Sequence, residues 1–302
     1  HQMVRRLFIV MLYVLYGLVL TAVLLVLLFP RERFVDWIGD RLEQALPGFV
    51  CRVEEVGYVH PFGLRLTGVV LENEQDLLTI PLETVLVRFK PDWPLKPLSV
   101  SASLFGGVVE SDIAADFSEN QFEFNRLSVN SLRLNDIDFL HTRLNRQLAG
   151  ELSLLGEMAV NPSHLNKMQF RGSLTIDNFT TRLRRPILQV RDIKFSQILT
   201  DVTLDGGIIN VSEGQYRGEM ISGNFSGWIA LEDPWSDSRF EIGGGVIPQA
   251  ALLERNPYVT DAAAELYRKY RAEAIPCQIE GTLETPRFRF GRKDESAGQR
   301  VQ

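Results

Sequence analysis

The sequence predicts a mainly β protein carried on one N-terminal transmembrane helix, and three observations support this prediction. The 23 residues from Leu7 to Phe29 include no charged side chain. After Pro47, apolar residues recur at every second position, and glycine-rich or Asn-rich breaks divide the chain into short stretches. Strict alternation is typical of strands with one apolar and one wetted face, and therefore of an antiparallel sheet.

The uncharged stretch is long enough to span a bilayer, because a transmembrane helix needs about 20 apolar residues. A cleaved signal peptide is the alternative, but its apolar region is about 7–15 residues long and ends in small residues. This stretch ends in Leu27, Leu28, Phe29 and Pro30, which favours a retained anchor. We assign residues 1–30 to a cytoplasmic tail and an anchor whose apolar residues include Leu7, Phe8, Leu12, Leu15, Leu18, Leu24, Leu28 and Phe29.

The charges beside the span predict its orientation. Arg5 and Arg6 precede it, and basic residues ahead of a first span favour a cytoplasmic N-terminus. The rest of the chain would then be exported. In a bacterium with two membranes, the expected location is the inner membrane, crossed once, with the C-terminal domain in the periplasm.

Residues 31–47 predict an amphipathic helix next to the membrane. Phe34, Ile38, Leu42 and Ala45 recur at steps of three to four residues, with charged residues on the other faces. Pro47 and Gly48 would end the helix. It could lie on the membrane surface or dock on the sheet, and the sequence leaves both placements open.

Residues 48–290 predict the β-rich domain. Alternation is clearest in residues 168–177, recurs in residues 277–284 and is weaker in residues 151–160. Two short helices are predicted near the C-terminus, at 248–256 and 260–274, with Thr260 or Asp261 capping the second. Residues 291–302 predict a disordered tail. The other predicted strands are 63–71, 82–89, 98–104, 107–113, 121–129, 187–195, 198–205, 207–212, 219–231 and 238–246.

Two segments that lie 100 residues apart resemble one another. Residues 103–110 and 203–210 both have a strand, a Gly-Gly pair and a second strand. Gly-Gly between apolar runs predicts a hairpin, since both glycines can adopt positive φ. Either such hairpins recur by chance, or an elongated sheet repeats one hairpin type.

The sequence contains no recognisable motif of a catalytic or metal-binding site. The net charge of −6 gives no electrostatic support for nucleic-acid binding. None of the four histidines has a second ligand at metal spacing, and nucleophile-elbow, phosphate-loop and dinucleotide motifs are not found. We therefore predict neither an enzyme nor a cofactor.

The two cysteines, Cys51 and Cys277, leave two alternatives open. They could form one disulfide that closes a long loop and stabilises the fold by about 4–5 kcal/mol, or they could remain free thiols.

Two motifs resemble the AsmA-like proteins of Gram-negative bacteria. Residues 59–69, with Pro61, Gly63 and Leu64, look like the Pro-x-Gly-Leu-x-Leu-x-x-Val opening of that family. Residues 279–290 are similar to the Gly-x-Leu-x-x-Pro ending that AsmA-like chains share with type II secretion system protein N. Length, single anchor and β content match the protein N family best. The resemblance implies an anchored periplasmic protein with a long, curved sheet, which in larger AsmA-like relatives is a half-pipe whose apolar face carries lipid acyl chains.

Two functions follow as hypotheses. The first is an accessory component of a trans-envelope, type II protein secretion system, with other envelope components of that system as partners. The second is a module that binds or transfers phospholipid between inner and outer membranes. An ordinary sandwich core is the alternative explanation of the apolar face. In the lipid hypothesis, acyl chains lie in a groove lined by Leu152, Leu154, Met168, Phe170, Leu174, Ile176, Ile279, Leu283, Phe288 and Phe290.

Overall fold

One antiparallel sheet makes up most of the structure. The computed structural model describes residues 48–60, 63–73, 78–88, 98–116, 121–144, 147–161, 167–187, 190–232, 237–255 and 257–291, together with His164 and six positions between 35 and 43. The strands are β1 (Val50–Arg52), β2 (Glu55–Val59), β3 (Gly63–Asn73), β4 (Leu78–Arg88), β5 (Leu98–Leu104), β6 (Gly107–Asp116), β7 (Gln121–Arg133), β8 (Leu148–Val160), β9 (Gln169–Ile187), β10 (Val190–Asp205), β11 (Ile208–Gly218), β12 (Ile221–Ala230), β13 (Arg239–Pro248), β14 (Ile275–Thr282) and β15 (Pro286–Phe290).

The strands follow one another across the sheet in chain order. From β3 to β15 each strand pairs with the next, while β1 and β2 both pair with β3. Every pairing is antiparallel. The prediction of a mainly β, antiparallel protein is confirmed. Short connections explain the order, because consecutive strands joined by tight turns become neighbours.

The pairing register divides the side chains between two faces. Alternate residues of a strand point to one side of the sheet, and residues directly opposite on neighbouring strands share that side. Leu154 on β8 is opposite Val129 on β7 and Leu174 on β9. Followed from strand to strand, this register puts most of the apolar side chains on one side. We call it the apolar face, and the side with Ser153 and Thr175 the polar face.

Bulges keep the apolar residues in phase along the strands. Arg126, Ser131 and Glu213 have φ near +50°, and the register shifts by one residue at each. Phe124 and Leu127 therefore share the apolar face although they are three residues apart. Bulges of this kind bend strands and increase their twist.

The open sheet overturns the sandwich alternative. In a sandwich, the inner faces of two sheets interdigitate and bury each other. Here all described strands belong to one sheet, and each makes its main contacts with its sheet neighbours. In the middle of the sheet, apolar-face side chains such as Leu154, Leu174 and Phe225 are only half-buried.

A small buried cluster lies at the N-terminal edge. Cys51, Val56, Leu66 and Val69 form it, and Val35 packs against it. The described positions between 35 and 43 are helical, and the Cys51 N–H donates a hydrogen bond to Glu43 Oε1 at 3.2 Å. The described part of the predicted amphipathic helix therefore docks on the sheet. The remainder of residues 31–47 lies outside the described residues.

Helices occur in two of the connections between strands. A 3-10 turn (Leu134–Asp136) and α1 (Asp138–Leu144) join β7 to β8, and the sequence pattern did not predict them. α2 (Ala250–Arg255) and α3 (Pro257–Tyr270) join β13 to β14. The prediction that α3 begins at Thr260 or Asp261 is wrong. The helix starts at Pro257, because proline fits the first helical turn, where its missing N–H costs nothing.

The two Gly-Gly segments do form hairpins, but with turns offset by one residue. The β5–β6 turn consists of Phe105 (φ 47°) and Gly106 (φ 70°), and the β10–β11 turn of Gly206 (φ 57°) and Gly207 (φ 78°). Positive φ at both central residues is the geometry whose twist matches that of paired strands. The segments thus share a hairpin type, and the two strands predicted at 187–195 and 198–205 are one strand, β10.

The described helices are all short of what a transmembrane span requires in length and apolar character. The predicted anchor, with Leu7, Phe8, Leu12, Leu15, Leu18, Leu24, Leu28 and Phe29, lies outside the described residues. So does the predicted tail from residue 292 onward.

Candidate functional site

The residues predicted to line a groove lie on or beside the apolar face. Leu152, Leu154, Phe170, Leu174, Ile176, Ile279, Phe288 and Phe290 are on that face by register. Met168 comes directly before β9, and Leu283 directly after β14. All ten are half-buried or exposed, and none is buried. The predicted residues form two groups, one on β8–β9 and one on β14–β15, with four strands between them.

An aromatic row bridges much of that gap, and the sequence pattern did not single it out. Phe179, Phe195, Tyr216 and Phe225 come from four consecutive strands, β9 to β12. Their ring centroids are 6.3, 5.2 and 6.2 Å apart in that order. Phe225 is opposite Gly244, and Gly244 is opposite Cys277, which is opposite Phe290. The row therefore runs across the face towards the β14–β15 group.

Several of these rings lie over glycines of the same or neighbouring strands. A Cβ at Gly172 would be 2.8 Å from the Phe170 ring, and a Cβ at Gly214 would be 2.7 Å from the Phe225 ring. Tyr216 covers Gly223 in the same way, with its hydroxyl 2.6 Å from where a Cβ would stand. Aromatic rings laid on glycines protect the exposed backbone of a sheet. They also make an apolar floor, because no side chain projects from the positions beneath them.

Tyr216 connects this floor to β13. Its hydroxyl donates a hydrogen bond to the Gly245 carbonyl oxygen at 3.1 Å. Burial raises the pKa of the Tyr216 hydroxyl well above its ordinary value of 10.0, and the neighbouring Cys277 raises it further. Burial also raises the pKa of the Cys277 thiol above 9.0. Both groups are therefore neutral at physiological pH, and this part of the face carries no charge.

Two hydroxyls on the apolar face are satisfied by the backbone. Ser111 donates to the Asn125 carbonyl oxygen at 3.1 Å, and Thr200 donates to the Ser212 carbonyl oxygen at 3.0 Å. Each carbonyl lies directly before a bulge residue, Arg126 or Glu213. Both hydroxyls are therefore bonded to carbonyl oxygens next to the bulges, where the hydrogen bonding between strands is interrupted. They offer few hydrogen bonds to a polar ligand. In the sequence, each bulge is signalled on the neighbouring strand, where a single Ser or Thr takes the place of an apolar residue in the alternating pattern.

The two cysteines are free thiols in the structure. Cys51 lies on β1 and Cys277 on β14, towards opposite edges of the sheet. Of the two alternatives that the sequence left open, the structure has the unpaired thiols. Across the described ranges, no group of three His, Cys, Asp or Glu side chains is placed to hold a metal ion.

Fold and face together define a protein with one open antiparallel sheet and one continuous apolar side. No family model, no curated protein and no solved structure matches the chain.

Alkaline pH is expected to destabilise the protein through Tyr216 and Cys277. Because the pKa of each is raised by folding, the unfolded chain loses these protons first as the pH rises. The free energy of unfolding should therefore be at its full value below about pH 9 and should decline above it. Urea unfolding between pH 7 and pH 11 measures this. The double variant Tyr216→Phe, Cys277→Ser should show a flatter decline, and an unchanged slope would contradict the assignment.

Proposed function

We propose that this protein is a membrane-anchored lipid-binding protein whose apolar face holds acyl chains. The observation that carries the proposal is that an apolar face extends across the sheet while its central side chains stay half-exposed. Fully burying one such side chain is worth about 1.5–3 kcal/mol. Soluble proteins rarely expose contiguous apolar patches beyond a few hundred Å². An apolar face of this extent therefore needs a ligand or a partner that shields it from water.

The chemistry of the face favours an acyl chain over a peptide as that cover. A peptide brings backbone N–H and C=O groups that need partners when they leave water. On this face Ser111 and Thr200 are bonded to carbonyls, and Tyr216 is bonded to Gly245. An acyl chain has no hydrogen-bonding group along its length. The apolar floor that Phe170, Tyr216 and Phe225 form over glycines suits an unbranched chain.

The anchor and the location belong to the same proposal. The uncharged stretch from Leu7 to Phe29 and the basic pair before it support an inner-membrane anchor with the sheet in the periplasm. The docked helical segment near Val35 supports a short distance between membrane and sheet, since it precedes β1 directly. Together they favour lipid entering the face from the anchored membrane. The half-pipe form that the AsmA-like resemblance implies is part of the proposal, and the bulges in β7 and β11 support curvature.

The secretion-system role remains a separate proposal that rests on the protein N resemblance. Its motifs are those of residues 59–69 and 279–290, whose described residues lie mainly in β3, β14 and β15. The fold is compatible with either role, because a lipid-binding face and an accessory part of a secretion machine do not exclude one another. The geometry of the face favours lipid binding as the primary proposal.

One preparation tests these proposals together. The full chain should remain with the membrane fraction until a mild detergent extracts it, and the extracted protein should carry phospholipid detectable by mass spectrometry. Recovery in the soluble fraction would contradict the anchor. Lipid-free protein that instead co-purifies with secretion-channel components would reverse the order of the two proposed functions. An unrelated single-span protein extracted in parallel gives the background of adhering lipid.

A further inference from the structure

We infer that the β9–β10 hairpin extends beyond the rest of the sheet as a basic arm that binds the surface of an anionic lipid bilayer. The arm consists of residues 182–187 of β9 and residues 190–194 of β10. This contact is separate from the predicted anchor, and it does not depend on what the apolar face holds.

The pairing register shows that the arm runs past its neighbours in the sheet. The pairing of β8 with β9 stops at Thr181, and the pairing of β11 with β10 stops at Phe195. β9 and β10 remain paired with each other beyond these residues, out to Ile187 and Val190. At about 3.3 Å per residue, Val190 is therefore about 16 Å further along β10 than the last residue that β11 supports. Neither strand of the arm has a second strand beside it among the described ones.

The sequence of the arm is strongly basic. Five of its residues are arginine or lysine and one is acidic, which gives a net charge of +4 in a chain whose net charge is −6. The acidic residue, Asp192, accepts a hydrogen bond from Arg182 Nε at 3.1 Å. The basic residues of the arm are Arg182, Arg184, Arg185, Arg191 and Lys194. The arm is therefore a local source of positive potential on an acidic protein, and such segments are attracted to anionic lipid.

Apolar residues accompany the basic ones, and they favour a bilayer over a soluble acidic partner. Leu183, Ile187 and Val190 lie in the outer part of the arm. Binding to a membrane surface combines attraction between basic residues and anionic headgroups with the burial of apolar area at the acyl boundary. A nucleic acid or an acidic protein would use the charges of the arm and would leave its apolar residues in water.

The backbone of the arm is unsuited to pairing with another strand. Residues 183–186 of β9 stand opposite the single residue Arg191 of β10, and Pro186 has no N–H to donate. Bulges, proline and charged residues are the features by which natural sheets prevent edge pairing. A two-stranded hairpin without further support is also marginally stable in water. A lipid surface supports such a hairpin without requiring a free strand edge.

Vesicle flotation with the full chain tests the charge of the arm. The chain is reconstituted in nanodiscs of neutral phosphatidylcholine and mixed with vesicles of phosphatidylcholine, either alone or with an equal part of phosphatidylglycerol. The wild-type chain should float with the anionic vesicles and not with the neutral ones. Arg184→Gln combined with Arg185→Gln should weaken this binding about 30-fold, roughly fivefold for each basic residue near an anionic surface.

A second pair of arginines provides the matched control. Arg171 lies near the other end of β9 and Arg287 lies on β15, and both are exposed. Arg171→Gln combined with Arg287→Gln makes the same change in net charge and should leave the binding as in the wild type. Equal loss of binding in the two double variants would overturn the inference, as would wild-type binding that is the same for neutral and anionic vesicles.

Serine substitutions test whether the partner is a bilayer. Ile187→Ser combined with Val190→Ser keeps the charge of the arm, and binding to anionic vesicles should fall about tenfold because less apolar area enters the interface. The control is Leu155→Ser combined with Ile208→Ser, on the strands that flank β9 and β10, where the two side chains are 60% and 45% exposed. The control should bind as the wild type does. Unchanged binding of the Ile187→Ser, Val190→Ser variant would overturn the assignment to lipid and indicate a soluble acidic partner.

Discussion

Replacing Leu154 by glutamate is expected to remove bound lipid, whereas the same replacement at Leu155 should leave it in place. These neighbours on β8 differ in the face they occupy. Leu154 is on the apolar face, half-buried between Val129 and Leu174. Leu155 is on the polar face and is 60% exposed. The pair therefore offers the same chemical change on opposite sides of one strand.

The expected loss of lipid follows from the cost of placing a carboxylate against an acyl chain. An unpaired charge is strongly disfavoured in apolar surroundings. The variant also loses a leucine contact that is worth about 1.5–3 kcal/mol when fully buried, so a tenfold or greater loss of affinity is expected. Phospholipid per protein, measured by mass spectrometry after identical purification, gives the result. The proposal fails if both variants retain lipid equally.

The melting temperatures of the two variants separate an open face from a covered one. Leu154→Glu should fold nearly as well as Leu155→Glu, because the half-exposed face leaves the new carboxylate access to water. A covered core would instead lose several kcal/mol on receiving an unpaired charge. Selective unfolding of Leu154→Glu would therefore argue for a protein layer on this face.

Adding a single methyl group at Gly244 is expected to cost about 2–4 kcal/mol of folding free energy, because the surrounding backbone cannot move away. A Cβ there would be 2.9 Å from the Phe225 Cα and closer still to the Asn224 carbonyl oxygen. Both contacts are with the backbone of β12, which is held by its hydrogen bonds to β11 and β13. A clash of this kind shifts the strand rather than a side chain.

Gly243→Ala is the matched control, since the nearest atom to a Cβ at Gly243 is the Cys277 carbonyl oxygen at 3.9 Å. That variant should be neutral, or more stable by about 0.4–1 kcal/mol because alanine restricts the unfolded chain. Urea unfolding of both variants measures the difference. Equal stability of the two variants would contradict the close packing of β12 against β13 at Gly244.

Alternation was enough to predict the faces of individual strands. Leu152 and Leu154 on β8, and Leu174 and Ile176 on β9, share one side as predicted, because the period of two is a local property of extended backbone. In the run of three glycines from Gly243 to Gly245, close packing is found at Gly244 and Gly245. Local geometry dictates these features, so they can be read from neighbouring residues.

The partners of each face required the folded chain. Alternation states which side of a strand is apolar but not what covers it, so a sandwich and an open sheet have the same local pattern. The aromatic row from Phe179 to Phe225 depends on the register of four strands, and that register depends on the irregularities at Asn178, Ser196 and Glu213. A one-residue slip moves a whole strand's side chains to the other face. The row, its glycine floor and the unpaired Cys51 and Cys277 are therefore consequences of long-range pairing, which no short window of sequence contains.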